Sequence, residues 1–288
     1  MSEDAHGRQF EPFFLPASEG ERFCMFHPVA GTPRGAVLYL HPFAEEMNKS
    51  RRMTALQSRA LAADGFAVLQ IDLFGCGDSS GEFGEASWEI WRQDVALGAR
   101  WLRQQVGGGV TLWGLRLGAL LALDAARHCD PAPEEFVLWQ PVVSGEQFLT
   151  QFLRLRVAGE MISVGAAKTG TRQLRGEFDA GNRLEIAGYD LAPGLAQPID
   201  ALKLIDLAPR GGRVHWLEIV PEAVVPESQR TLAPAAQRVA DSWTRSGVQF
   251  EVRCVPGQPF WNTLEITECP ELITATTQVL AGGCNESQ

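Results

Sequence analysis

The sequence lacks the features that direct a chain to nucleic acid or to a membrane. Its 288 residues carry 35 acidic and 25 basic side chains, a formal charge of -10. This charge argues against binding to nucleic acid or to an anionic membrane, because both need a basic surface. No apolar run approaches the roughly 20 residues of a membrane span, and the start, Met1-Ser2-Glu3-Asp4, is acidic where a secretory signal is basic. We therefore expect a cytoplasmic protein.

Spacings typical of metal sites and disulfide frameworks are also missing. The six cysteines are scattered and form no Cys-x-x-Cys pair, so neither a zinc site nor a disulfide framework is predicted. The histidines are equally dispersed and show no metal-ligand spacing. We expect no metal and no cofactor.

The chain does contain a regular alternation of strand and helix patterns. Short apolar runs typical of buried strands occur at 36–41, 66–71, 110–113 and 136–139. Helical patterns separate them, at 50–64, 88–103 and 117–127. This alternation indicates βαβ crossovers and a parallel sheet, with the run 36–41 near its centre.

The two ends of the chain extend this pattern. Candidate strands at 12–16 and 22–27 predict a leading hairpin at a sheet edge. After Arg213 the pattern resumes with strands at 214–219 and 248–255 and helices at 229–245 and 270–280.

Between Pro141 and Arg213 the alternation breaks, and a helix over 147–162 is the clearest element. An inserted cap over one end of the sheet explains this best. We predict a core formed by 1–142 and 213–288, with a cap at 143–212.

The stretch 112–119 has the frame of a nucleophile elbow without its nucleophile. In Gly-x-Ser-x-Gly, a strand ends in a strained turn and the central side chain stands at the N-terminus of the next helix. The flanking glycines are needed because neighbouring backbone passes too close for a Cβ. Here Gly114 and Gly118 flank Arg116, and a guanidinium offers only donors, so it cannot attack a carbonyl.

Two further motifs stand at matching distances from this frame. His41-Pro42-Phe43 follows the third predicted strand, and the stretch 72–79 follows the fourth with the pattern Asp-x-x-Gly-x-Gly-x-Ser. Together the three motifs resemble an α/β-hydrolase over residues 10 to 282. The resemblance implies a mostly parallel eight-stranded sheet flanked by helices, an inserted cap, and an oxyanion-hole N–H near Phe43.

The stretches 45–52, 113–119 and 256–261 resemble, more narrowly, the second type of exosortase A system-associated hydrolase. That family is encoded in bacterial loci for exopolysaccharide production and for sorting of PEP-CTERM proteins. The resemblance implies a role in such a locus, while the activity of the family is itself inferred from its fold.

The remaining triad positions are only partly filled. Glu222 falls where the acid of a triad follows the next-to-last strand, but the loop 257–261 contains no histidine, and none occurs after His215. A serine triad needs a base to take the hydroxyl proton and return it to the leaving group. With the Ser-His pair missing, we predict a degenerate hydrolase, a pseudoenzyme that binds a ligand.

Arg116 then has two interpretations. A helix N-terminus disfavours a cation, so the guanidinium needs carboxylate partners, with Glu45, Glu46 and Glu222 as candidates. Alternatively, Arg116 and the N–H groups of the elbow bind a carboxylate, sulfate or phosphate of a ligand. Both hold if the ligand displaces a carboxylate.

The ligand is expected to be a small molecule, anionic or saccharide-derived. Its candidate binding residues are Phe43, Glu45, Glu46, Arg116 and Leu117. The alternative is an active ester or acyl hydrolase with non-standard groups, for which Cys76 with His41 is the available nucleophile and base.

Overall fold

A computed structural model of the chain describes residues 10–164, 169–221 and 231–283. Its main sheet has eight strands, here numbered in chain order: β1 (Glu11–Pro16), β2 (Glu21–His27), β3 (Gly35–Leu40), β4 (Phe66–Ile71), β5 (Val110–Leu115), β6 (Glu135–Trp139), β9 (Arg213–Val220) and β10 (Gln249–Pro256). The strand order is β1-β2-β4-β3-β5-β6-β9-β10. A separate antiparallel hairpin consists of β7 (Leu184–Ile186) and β8 (Tyr189–Leu191).

The strands from β4 to β10 in this order run parallel, and only β2 joins them antiparallel, through β4. The prediction of a mostly parallel eight-stranded sheet is confirmed, with the first of the apolar runs, β3, at its centre. The leading hairpin is confirmed as well. Its first strand, β1, is one of the two edge strands of the sheet and contains Pro12 and Pro16.

Helices flank the sheet: α1 (Glu45–Ala63), α2 (Trp88–Val106), α3 (Leu117–Ala126), α4 (Gly145–Val164), α5 (Thr171–Asp179), α6 (Pro193–Ala201), α7 (Pro234–Arg245) and α8 (Pro270–Gly283). One apolar core contains residues of α2, α3 and α7, and a second contains residues of α1 and α8. The sheet therefore has helices on both faces, as its continuous apolar strands require. Within the described part of the chain, no helix is long and apolar enough to cross a membrane.

Two helices begin elsewhere than predicted. α1 starts at Glu45 rather than Ser50, because the acidic side chains of Glu45 and Glu46 suit the positive end of a helix. α7 starts at Pro234, a residue whose fixed φ favours the first helical turn. The predicted start of α7 at Gln229 lies outside the described residues.

The chain between β6 and β9 adds no strand to the main sheet and interrupts the alternation of strands and helices. It forms α4, the short helices α5 and α6, the β7–β8 hairpin and a 3-10 turn at Leu204–Leu207. α4 packs against α5, α6 and β7, and α6 in turn contacts α2. The predicted helix over 147–162 is thus present as part of α4, while the assignment of 143–212 as a separate cap stays a prediction.

The turn from β5 into α3 has the strained backbone of an elbow. Arg116 has φ 56° and ψ -116°, a backbone conformation that residues other than glycine rarely adopt. A Cβ on Gly114 would lie 2.5 Å from the carbonyl oxygen of Gly118, and one on Gly118 would lie 2.3 Å from that of Leu40. Gly118 lets the turn pack directly against the end of β3, and Gly114 lets the end of β5 lie against the first turn of α3.

We expect Gly118→Ala to lower the free energy of unfolding by about 1–3 kcal/mol, because the added methyl group overlaps the backbone of β3. Urea denaturation measures the difference. The control is Gly176→Ala in α5, where a Cβ would meet no described atom within 4 Å. That variant should gain about 0.5–1 kcal/mol from helix propensity. Equal midpoints for the two variants would show that the elbow has room to spare.

Replacing Arg116 separates backbone strain from side-chain contacts. Arg116→Gly and Arg116→Ala both delete the guanidinium, but only glycine adopts φ 56° without steric cost. We expect the glycine variant to be the more stable by about 1 kcal/mol in urea denaturation. At Arg127, which has φ -67° at the end of α3, the same two substitutions should rank in the opposite order. The same order at both positions contradicts a strained turn.

Candidate functional site

A cavity of about 450 Å³ opens at the carboxyl ends of the central strands, beside α4. Its walls come from the loop after β3, the start of α1, the elbow, α4, the β7–β8 turn and the loop after β10: Phe43, Ala44, Glu45, Glu46, Lys49, Arg116, Phe148, Gln151, Phe152, Leu155, Ala187, Trp261 and Asn262. Its volume lies in the range of small-molecule sites, and its lining is mainly apolar with a few charged groups. Ligands of open α/β sheets bind at this edge.

Arg116 faces Glu46 across this cavity. The Nε and Nη2 atoms of Arg116 each lie 3.4 Å from Oε1 of Glu46, and each side chain is about one-fifth exposed. Burial raises the pKa of Glu46, and the charge of Arg116 opposes that rise. The second oxygen of Glu46, Oε2, is buried and has no hydrogen-bond partner among the described residues. The ion pair is therefore long and incompletely satisfied.

The positions of the two residues explain their pairing. Glu46 lies in the first turn of α1, where the helix dipole favours a carboxylate, whereas Arg116 precedes α3, where the dipole disfavours a cation. Of the three partners expected for Arg116, Glu46 makes the contact. Glu45 instead accepts a hydrogen bond from the hydroxyl of Tyr189 at 3.3 Å. Glu222 lies outside the described residues.

Trp261 covers the guanidinium from the loop after β10. The Cζ atom of Arg116 lies 5.4 Å from the centroid of the Trp261 ring, within the range of a cation–π interaction. This loop is where a triad histidine was expected and not found in the sequence. An aromatic ring, which neither takes nor returns a proton, stands beside the elbow residue there.

A smaller cavity of about 200 Å³ lies beside Arg116 and shares Phe148 and Gln151 with the larger one. Its polar lining includes Glu218 and Gln140. The carboxylate of Glu218 accepts hydrogen bonds from Nε1 of Trp216 at 2.8 Å and from Nε2 of Gln140 at 3.0 Å. Burial raises the pKa of Glu218, while those bonds and Arg116 oppose the rise.

Glu218 and Gln140 were not predicted from the sequence. Glu218 could have been found from its position near the end of an otherwise apolar strand. A carboxylate buried on a sheet needs hydrogen-bond donors, which indicates a polar site around it. Gln140 follows β6 with φ 44°, another unusual backbone conformation. Its Oε1 accepts the N–H of Ile219 at 2.7 Å, which joins the ends of β6 and β9.

His41 joins the loops after β3 and β4. Its Nδ1 lies 2.8 Å from the carbonyl oxygen of Pro42, and its Nε2 accepts the N–H of Leu73 at 3.3 Å. These bonds assign the proton to Nδ1 and give both ring nitrogens a partner. Burial lowers the pKa of His41 and raises that of the Cys76 thiol. The arrangement therefore argues against a thiolate–imidazole pair, which needs an accessible base and a lowered thiol pKa.

The remaining expected ligand residues divide between the cavity and the core. Phe43 lines the cavity and packs against Phe152 and Phe148, with ring centroids 5.1 and 5.7 Å away. The side chain of Leu117 is buried in the core, so only its backbone can face a ligand. Its N–H belongs to the first turn of α3, where N–H groups have no partner inside the helix.

The charged side chains of residues 45–52 contact different parts of the structure. Arg51 bonds Asp72 at 3.3 Å, and Arg52 pairs with Glu268. Asp72 also accepts the N–H of Asp78, which fixes the glycine-rich loop after β4. Lys49 lines the large cavity. Within the ranges that the structure describes, no three His, Cys, Asp or Glu side chains are grouped to hold a metal ion.

The family model described as serine aminopeptidase, S33, matches residues 31–187, which is more than half of the chain. Protein ABHD12B of Homo sapiens is 31% identical over 111 residues, which are 38% of this chain and 29% of that protein. The match thus spans less than a third of the length of that relative.

Solved structures share the whole architecture at low identity. Est1E from Butyrivibrio proteoclasticus, solved with ferulic acid bound, has a TM-score of 0.65 and 12% identity, covering 95% of this chain and 98% of its own. A thermostable carboxyl esterase from Bacillus coagulans, in complex with glycerol, has a TM-score of 0.62 and 13% identity, covering 96% and 99%. These similarities establish the α/β-hydrolase fold, and the matched family model shows that the chain belongs to the serine aminopeptidase S33 family of that superfamily.

Proposed function

We propose that this chain is a degenerate α/β-hydrolase, a pseudoenzyme that binds an anionic small molecule through Arg116. The observation that carries the proposal is the guanidinium at the elbow, at the base of a cavity of about 450 Å³. The planar guanidinium of Arg116 can donate two parallel hydrogen bonds to the oxygens of a carboxylate, sulfate or phosphate group. Neither a hydroxyl nucleophile nor an imidazole base occupies its family position, so acyl transfer has no starting point.

Binding would proceed by exchange of carboxylates. The 3.4 Å contacts between Arg116 and Glu46 are long for a charge-assisted pair, so a ligand anion at closer range would compete for the same guanidinium. Glu46, with its raised pKa and an unpartnered oxygen, is poised to take up a proton when displaced. It would then donate a hydrogen bond to the ligand. The N–H groups of Leu117 and Phe43 are the backbone donors proposed beside it.

A saccharide-derived ligand is favoured by the smaller cavity. Its lining includes the amides of Gln140, Gln147 and Gln151 and the hydroxyl of Ser144. Amide and hydroxyl groups bind sugar hydroxyls through paired donors and acceptors. An acidic sugar could place its carboxylate on Arg116, which lines both cavities.

We further propose that the chain belongs to the second type of exosortase A-associated hydrolases, in the cytoplasm. The stretches 45–52, 113–119 and 256–261 support this assignment, since they supply Glu46, Arg116 and Trp261 to one cavity. In this proposal the ligand comes from exopolysaccharide or PEP-CTERM protein-sorting metabolism. Residues 143–212 act as the cap, and α4 closes one side of the site.

The alternative function is an ester or acyl hydrolase that uses Cys76 and His41. The family resemblance favours hydrolysis, but the raised thiol pKa and the two hydrogen bonds of His41 oppose it. Glu222 would be the acid of a conventional triad, and such a triad still lacks its nucleophile and base.

Arg116→Ala should weaken binding of D-glucuronate and of octanoate by at least about tenfold, because a charge-assisted hydrogen bond is lost. D-glucose and 1-octanol, the neutral counterparts, should bind equally to both proteins. Isothermal titration, with the intrinsic tryptophan fluorescence of the protein as a second signal, measures the affinities. Arg52→Ala is the control, since Arg52 pairs with Glu268 at the surface. If neither acid binds the unaltered protein, or if both bind Arg116→Ala equally well, the anion-receptor proposal is wrong.

Neither the unaltered protein nor Arg116→Ser should hydrolyse p-nitrophenyl butyrate, because a serine at the elbow would still lack a base. Release of p-nitrophenol over several turnovers measures this, and a fluorophosphonate probe detects an activated serine. Turnover by the unaltered protein that Cys76→Ala abolishes would establish the alternative function. Esterase activity of Arg116→Ser would show that another group serves as base.

A further inference from the structure

An apolar stripe runs along α4 from the cavity to the surface. It consists of Phe148, Phe152, Leu155, Gly159 and Ile162, which are spaced by four, three, four and three residues. At 3.6 residues per turn this spacing places all five on one face of the helix. We call this set the α4 stripe.

Exposure rises steadily along the α4 stripe. Phe148 is 8% exposed, Leu155 52% and Ile162 87%. The first three members line the large cavity. The stripe is thus one continuous apolar surface, buried at the inner end and open at the outer end.

The inner end of the α4 stripe lies beside the guanidinium. Phe148 and Arg116 line both cavities, and Phe43 packs against Phe148 and Phe152. From position 148 to position 162 the helix rises about 21 Å, at about 1.5 Å per residue. A cation therefore stands at one end of an apolar path that is much longer than a single sugar or short acid.

We propose that the ligand is a long-chain amphiphile, with an anionic head on Arg116 and an apolar chain along the α4 stripe. This inference rests on the proposed anion-binding function and specifies its ligand class. The charge of Arg116 selects the head, and the apolar surface beyond it selects the chain. A glycosylated or otherwise polar head can extend into the smaller cavity, whose amides and hydroxyl accept it.

The occupant of the α4 stripe is assigned from its continuity with the cavity. A surface that served only a protein partner would not need to begin inside a cavity at a charged group. Leu155 lines the cavity and is also half exposed at the surface. The apolar chain of a bound ligand would therefore pass over Leu155 where it leaves the cavity.

A homologous series of straight-chain carboxylates tests the proposal. Butanoate, octanoate, dodecanoate and tetradecanoate are titrated below their micelle concentrations into the full chain. Each added methylene should raise the affinity by up to about fourfold while it contacts the α4 stripe, following the free energy of burying one methylene. The rise should continue beyond octanoate.

Polar substitutions locate the chain. Leu155→Gln and Ile162→Gln should each weaken the binding of tetradecanoate by about fivefold or more, the loss of one to two buried methylenes. Ile162→Gln, which lies outside the cavity, should leave the affinity for butanoate within about twofold. Met161→Gln is the matched control. Met161 is 56% exposed on the same helix, but its position lies off the stripe, so its variant should bind the whole series like the unaltered protein.

The results of these titrations distinguish a failure of the amphiphile proposal from a failure of anion binding by Arg116. If octanoate binds through Arg116 but the affinity stops rising with chain length, the amphiphile proposal fails and anion binding stands. If no carboxylate binds and Arg116→Ala changes nothing, both fail. Analytical ultracentrifugation of the same variants supplies a further check. A dimer that Leu155→Gln or Ile162→Gln converts into a monomer would assign the stripe to a protein interface and overturn the proposal.

Discussion

The close approach of the β5–α3 turn to the end of β3 determines where the site lies. Gly114 and Gly118 leave no room for a methyl group, so the turn packs against backbone and holds residue 116 at φ 56°. Any side chain at that position is presented at the carboxyl edge of the sheet, beside the first turn of α3. The geometry is independent of the chemistry, which explains how a guanidinium can occupy a frame built for a nucleophile.

A permanent cation at this position changes what surrounds it. The dipole of α3 opposes Arg116, so the stabilisation must come from neighbours on other elements, namely Glu46 on α1 and the ring of Trp261 after β10. Glu218 contributes a further carboxyl nearby. Both acids are buried enough for their pKa values to rise, so the site holds charge that is only partly compensated. A partly compensated cation in a cavity is suited to an anion from outside.

Much of the fold could be predicted because its signals are local. The run that became β3 is apolar throughout, and the glycines of the elbow stand at fixed spacing around Arg116. The start of α1 at Glu45 was missed because the apolar repeat that predicted this helix lies further along the chain, within 50–64. Glu218 and Gln140 were missed for another reason, since they meet only when β6 and β9 become neighbours in the sheet. Contacts between distant segments leave no periodicity in the sequence.

The edge of the sheet formed by β1 has a consequence of its own. β1 pairs with β2 at all six of its residues, so the N–H groups that bond β2 must point towards β2. Proline has no N–H to donate, and the nitrogens of Pro12 and Pro16 therefore face away from β2. The rim of the sheet thus offers few amide hydrogens to an incoming strand. Despite the exposed ring of Phe14, this edge of the sheet is poorly matched for pairing with another strand, a protection built from two residues that cannot donate.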